Sequence, residues 1–226
     1  LERTDADARA AVELGPIRIE PLEHVEPPVF VMRGGPHGAE QLVFLHGMCG
    51  HGLGYAQSFQ FSAARRGRLI APQGDLPCGK GPWASWSADL EALDQRIVSA
   101  FRALGEERPN NVLIIGYSQG ATRAAALARR HPERYSRLIL IGAPAAPSPA
   151  RLAHLRGAVM MAGERDRQDL MTAAARSFRA ANIPATYIVI PEAAHGAMGP
   201  TPERTMAEAL DWLWKNSRPA AEAGFG

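Results

Sequence analysis

The stretch "VLIIGYSQGATRAAALARR", residues 112–130, begins as a continuous apolar run and leaves as an alanine-rich helical pattern, with Gly116 and Gly120 set around Ser118. A run of this kind suits a strand buried on both faces. Between the two elements stands one serine. Glycine two positions to either side removes the Cβ atoms that a strained central residue would drive into its neighbours. The pattern fits the G-x-S-x-G elbow, which holds a serine hydroxyl out at the end of a strand while the next helix aims its positive N-terminal end at the site. By itself the motif also fits a tight turn without chemistry. A strand before it and a helix after it favour a nucleophile at Ser118.

Outward from this stretch the same alternation continues. Apolar or β-branched runs recur at 16–22, 28–34, 41–47, 67–73, 136–142, 157–163 and 185–191. Helical patterns lie between the later ones, at 87–107, 119–133, 169–182 and 202–217. In the first of these Leu90, Leu93, Ile97 and Phe101 recur at three- and four-residue steps and form one apolar stripe. The alternation predicts an α/β fold with a mostly parallel sheet flanked by helices on both faces. The first two strands, joined without a helix, are expected to make an antiparallel edge. No repeat, low-complexity tract or linker divides the 226 residues, so a single domain over 1–226 is expected, with 1–15 and 218–226 peripheral. The opening "LERTDADARAAVELGP" reads as a short helix or a frayed lead-in, and "APAAPSPARL" at 143–152 is too short a loop to hold a lid domain.

Composition excludes several classes. A net charge of +2 is too small to point to a nucleic acid or another polyanion, and no apolar run approaches the length of a membrane span. No HExxH, clustered Cys/His spacing, P-loop or dinucleotide motif appears, so no metal and no cofactor is expected. Nothing in the sequence indicates an oligomeric state.

A serine nucleophile needs a base, and the base needs an orienting carboxylate. "MMAGERDRQ" ends a strand and places Asp166 in the loop beyond it, while "IVIPEAAHGAMG" ends the last strand before a loop carrying His195. The order Ser118, Asp166, His195 is the one expected for a nucleophile elbow in this architecture. Asp166 also reads as a helix N-cap, with Asp169 the next candidate acid and Glu192 a third. The glycine-rich "VFLHGMCGHG" follows a strand, so the Met48 backbone N–H, with that of Gln119, is the candidate oxyanion hole. His46 sits at the strand end and is expected to order that loop. Among the aromatic and sulfur side chains near these loops, Trp86, Tyr55 and Phe59 read as core. Trp83 and Met198 are the candidates for a substrate pocket. Trp212 and Trp214 belong to the packing of the last helix.

Taken together, "LHGMCG", "APQGD", "GPWASWSAD", "GYSQG", "GERD" and "AAHGAMG", in this order from about residue 40 to 215, resemble the α/β-hydrolase superfamily. Within it the chain is similar to the small phospholipase/carboxylesterase and acyl-protein thioesterase group. The resemblance implies an α/β-hydrolase fold without a lid domain and serine hydrolysis of a small-molecule ester or thioester, with Ser118, Asp166 and His195 as triad. "HGMCGHG" departs from the group's usual loop, and "GERDRQ" lacks the apolar or proline residues that often follow the acid. A peptidase or amidase of the same fold, or a non-catalytic binding protein on the scaffold, are the other readings.

Cys49 and Cys78 follow the apolar runs 41–47 and 67–73. If those strands are neighbours, their loops share an edge and a disulfide is within reach; otherwise two free thiols are expected. An even cysteine count and a chain that starts at Leu1 lean toward the bridge and a periplasmic or secreted setting, with the cytoplasm as the other option.

Overall fold

The computed structural model describes residues 17–219 apart from 24, 36 and 37. The expected lead-in at 1–15 lies outside the described residues, as does the tail from 220; Arg218 is held through its backbone and side chain to Arg156 and Asn182. The strands are β1 (Ile19–Pro21), β2 (Val29–Met32), β3 (Glu40–Leu45), β4 (Gly67–Pro72), β5 (Leu76–Pro77), β6 (Ala84–Ser85), β7 (Val112–Tyr117), β8 (Tyr135–Ile141), β9 (Gly157–Gly163) and β10 (Ala185–Ile190). The helices are α1 (Gly52–Ser58), α2 (Gln60–Arg66), α3 (Leu90–Ala103), α4 (Gln119–Arg130), α5 (Gln168–Ala180) and α6 (Pro202–Asn216).

Eight strands make one sheet in the order β1-β2-β4-β3-β7-β8-β9-β10, while β5 and β6 form a separate ribbon. From β4 to β10 every neighbouring pair in that sheet is parallel. The β1–β2 pair is antiparallel, which is the edge the sequence predicts, and β2–β4 is antiparallel as well. Successive side chains on a strand point to opposite faces. Val43, Leu45, Ile114 and Leu140 therefore meet α3, α4 and α5 through Ile97, Phe101, Ala124 and Phe178. Leu42, Phe44, Ile115 and Ile139 meet α1, α2 and α6 through Ala56, Ala63, Met206 and Leu210. Both faces are covered, which is why the strands are apolar throughout.

Between β8 and β9 the chain makes only a 3₁₀ turn, Pro149–Leu152. The sequence patterns miss α1, α2 and the β5–β6 ribbon. The two helices are seven residues each, too short to be stable alone. They are helical because Ala56, Phe59, Ala63 and Ala64 bury against the sheet.

Candidate active site

β7 ends at Tyr117 and α4 starts at Gln119, so Ser118 alone makes the turn, at φ 51° and ψ −114°. Holding a residue with a Cβ in such a region costs on the order of 1–3 kcal/mol and requires surroundings that leave no alternative. Those surroundings are close-packed backbone. A Cβ on Gly116 would stand 2.5 Å from the Ala121 Cα, and one on Gly120 would stand 2.2 Å from the Leu45 carbonyl oxygen. The two glycines let strand, helix and the end of β3 touch. The serine is also tied from behind, its N–H donating to the Ile141 carbonyl at 2.8 Å.

The loops after β9 and β10 converge on this serine. His195 Nε2 lies 2.9 Å from Ser118 Oγ, and its Nδ1 lies 2.7 Å from Asp166 Oδ2. The other carboxylate oxygen of Asp166 accepts from the Arg167 N–H at 2.7 Å. Asp166 is 9% exposed against 50% for His195, so the acid is shielded while the ring stays open to a substrate. The competing assignments separate cleanly. Arg167, and not Asp166, is the N-cap of α5; Asp169 is an exposed residue of that helix's first turn. Glu192 is exposed, and its backbone N–H binds Glu164.

Nothing in the sequence marks Gly142, yet a Cβ there would stand 3.0 Å from Asp166 Oδ2 and 3.2 Å from His195 Nδ1. Its φ of 53° also favours glycine. The residue after β8 thus leaves the space that the acid and the imidazole share.

The loop after β3 lies against the serine, with the position of a Gly47 Cβ 3.4 Å from the Ser118 Cβ. Met48 follows, its side chain 66% exposed. Its N–H has no partner among the described residues, and that of Gln119 is one of the donors a helix start leaves over. Buried side chains brace this loop. His46 Nδ1–H donates to the Gly47 carbonyl at 2.7 Å, and Nε2 accepts from the Gly74 N–H at 2.9 Å. That pair of bonds requires a neutral ring, and burial pushes its pKa down to about 4. Trp86 Nε1 donates to the His46 carbonyl at 2.7 Å, and the Gln119 side chain accepts from the Trp86 N–H at 3.1 Å. Gln73, unmarked by the sequence except as a polar residue closing an apolar strand, accepts from the Gly52 N–H at 2.9 Å. It also donates to the carbonyls of Gly50, at 3.1 Å, and Pro82, at 2.7 Å.

β3 and β4 are parallel neighbours, and Cys49 and Cys78 form a disulfide with their Cα atoms 5.4 Å apart. Beside it opens a trough of about 360 Å³ lined by His51, Tyr55, Pro82, Trp83 and Met198 among others. Trp83 and Met198 thus meet there. Tyr55 is a wall of this trough and only partly buried, which corrects its reading as core. Phe59 and Trp86 are buried as expected.

A model of the alpha/beta hydrolase family matches residues 42–156, slightly more than half of the chain. The chain belongs to that family. Among solved structures, this hydrolase is similar to a predicted CIB-like hydrolase from Thermoplasma acidophilum, at 18% identity and a TM-score of 0.65 over 88% of this chain and 99% of that one. A thermophilic esterase from Thermogutta terrifontis matches at 17% identity and a TM-score of 0.60, covering 89% and 100%. A carboxylesterase from Bacillus subtilis matches at 14% identity and 0.61, covering 91% and 95%. These likenesses show the fold. No curated protein sequence matches significantly.

Among the described residues of the hydrolase, no helix is long and apolar enough to cross a membrane. Its hydroxyl–imidazole–carboxylate chain is a geometry that can draw a proton from serine as the oxygen attacks a carbonyl.

Proposed function

We propose that this hydrolase cleaves carboxylic esters or thioesters of small to medium acyl groups through an acyl-enzyme on Ser118. The reading rests on one observation: the unbroken chain from Ser118 Oγ to His195 Nε2 at 2.9 Å and from His195 Nδ1 to Asp166 Oδ2 at 2.7 Å. In the neutral ring Nδ1–H donates to Asp166, which leaves the Nε2 lone pair for the serine proton. As that proton moves to Nε2, Ser118 Oγ bonds to the ester carbon, and the Met48 and Gln119 N–H groups receive the oxyanion. Collapse breaks the bond to the alkoxide or thiolate, which leaves with the proton from His195. Water repeats the cycle and frees the acid. The order and spacing of the motifs, similar to those of the small carboxylesterases, support the same reading.

The test is a series of p-nitrophenyl esters of increasing acyl length, with a thioester and a peptide amide alongside, on wild type and Ser118→Ala. Turnover should fall on the order of 10⁴-fold or more in the variant with the fold unchanged by circular dichroism. A fluorophosphonate should label the wild type at Ser118 alone. Labelling that persists in Ser118→Ala refutes the assignment.

A further inference from the structure

The trough includes Met198, from the loop that carries His195, and its chemistry bears on which groups it could hold. Its walls come from three places: His51 and Tyr55 at α1, Pro82 and Trp83 before β6, and Met198 beyond His195. None of them carries a fixed charge, and partial burial lowers the basicity of His51. A carboxylate seated there would lose water and find no counter-ion. The His51 and Trp83 rings meet edge to face at 6.0 Å, and Tyr55 stands in the same wall. Aromatic faces and edges favour a flat ring as partner. A volume of about 360 Å³ has room for a ring-sized group.

Tyr55 has a second contact. Its Oη donates to the Gly196 carbonyl at 2.9 Å, while the Gly196 N–H donates to Tyr117 Oη at 2.6 Å. The residue after His195 is therefore gripped on both sides. The Tyr117 ring lies 5.3 Å from that of Tyr55 and 5.7 Å from the His195 imidazole. Burial pushes the Tyr117 phenol up to about 12, so it keeps its proton and remains a neutral partner.

Resting on the ester-hydrolase reading above, we propose that the trough seats an uncharged aromatic group of the ester, and that Tyr55 ties this seat to the position of His195. Tyr55 is then a positioning residue, acting through Gly196, as well as a wall.

Matched ester pairs with leaving groups of similar acidity test the seat. Benzyl acetate is compared with ethyl acetate for the alcohol side, and methyl phenylacetate with methyl acetate for the acyl side. In at least one pair the aromatic member should be favoured in kcat/KM by about tenfold or more. For the alcohol pair, a 4-carboxybenzyl acetate should show no such gain. Trp83→Ala, which truncates a half-exposed side chain, should bring the ratio toward one. Tyr55→Phe keeps the ring and removes the bond to Gly196. It should retain the ratio and the KM of the aromatic ester, while kcat and the rate of fluorophosphonate labelling at Ser118 fall about fivefold, the effect of one hydrogen bond.

Equal rates within both pairs, or a preference that survives Trp83→Ala, overturn the seat. A change in KM without a change in kcat or labelling for Tyr55→Phe overturns the coupling. These failures differ from failure of the ester-hydrolase reading, in which no ester is cleaved and Ser118 is not labelled; that result removes both proposals.

Discussion

Asp166 and Asp169 stand three positions apart and do different things. The first touches His195, and the second is a solvated side chain at a helix start. Asp166→Asn should therefore lower kcat on the order of 10³- to 10⁴-fold through the wrong imidazole tautomer, while Asp169→Asn stays within a few-fold of wild type. Steady-state kinetics on one p-nitrophenyl ester decides, and equal losses would refute the ranking. Gly142→Ala adds a Cβ 3.0 Å from the Asp166 carboxylate at a backbone angle that disfavours side chains. Its activity should fall well beyond its stability, with kcat and the fluorophosphonate labelling rate dropping together; unchanged rates would refute the crowding. That Ser118, Asp166 and His195 come together was legible because each follows a strand end that the sequence marks. Gly142 was not, because its neighbours come from two loops distant along the chain.

At the level of elements, the β5–β6 ribbon shows why some structure has no sequence signature. Two-residue strands have no periodicity to read. The ribbon is fixed instead by the Gly50–Ala84 bridge, by the Cys49–Cys78 disulfide and by the Ser85 hydroxyl near both sulfurs. The cysteine pair itself was half legible, since its closure depended on β3 and β4 being neighbours. Cross-linking residues 29 apart restricts the unfolded chain by on the order of 3 kcal/mol. Cys49→Ser with Cys78→Ser should lower the denaturation free energy by up to that amount. Because Cys49 directly follows Met48, kcat should fall more than KM rises. A double variant with wild-type kcat would show that the loop needs no tether.

Across the molecule, strand order was the part least open to sequence reasoning. β2 pairs with β4 and not with its successor β3, a long-range pairing that no local pattern records. Two buried polar side chains, His46 and Gln73, hold loops at one edge of this sheet, and His46 titrates. His46 is lowered from 6.5 to about 4 in the fold, so the unfolded chain takes up the proton first. The resulting stabilisation, on the order of 3 kcal/mol, is complete above about pH 6.5 and is lost as pH falls through about 4. His51 and His154 are shifted in the same direction and add to it. Urea midpoints should therefore decline from pH 6.5 toward 4. In His46→Gln the decline should be shallower, from a lower starting stability. An unchanged slope would show that His46 does not carry the acid limb.

The contact between His46 and Trp86 has an optical consequence. The two rings lie 4.6 Å apart, and the indole N–H is bonded to the histidine's own carbonyl. A protonated imidazole at that range quenches indole emission, whereas a neutral one leaves it bright. Trp86 is buried and Trp83 is half in water, so their emission differs in colour. The blue-shifted emission, to which Trp86 contributes beside the partly buried Trp212 and Trp214, should therefore dim as pH falls through about 4 and His46 takes up its proton.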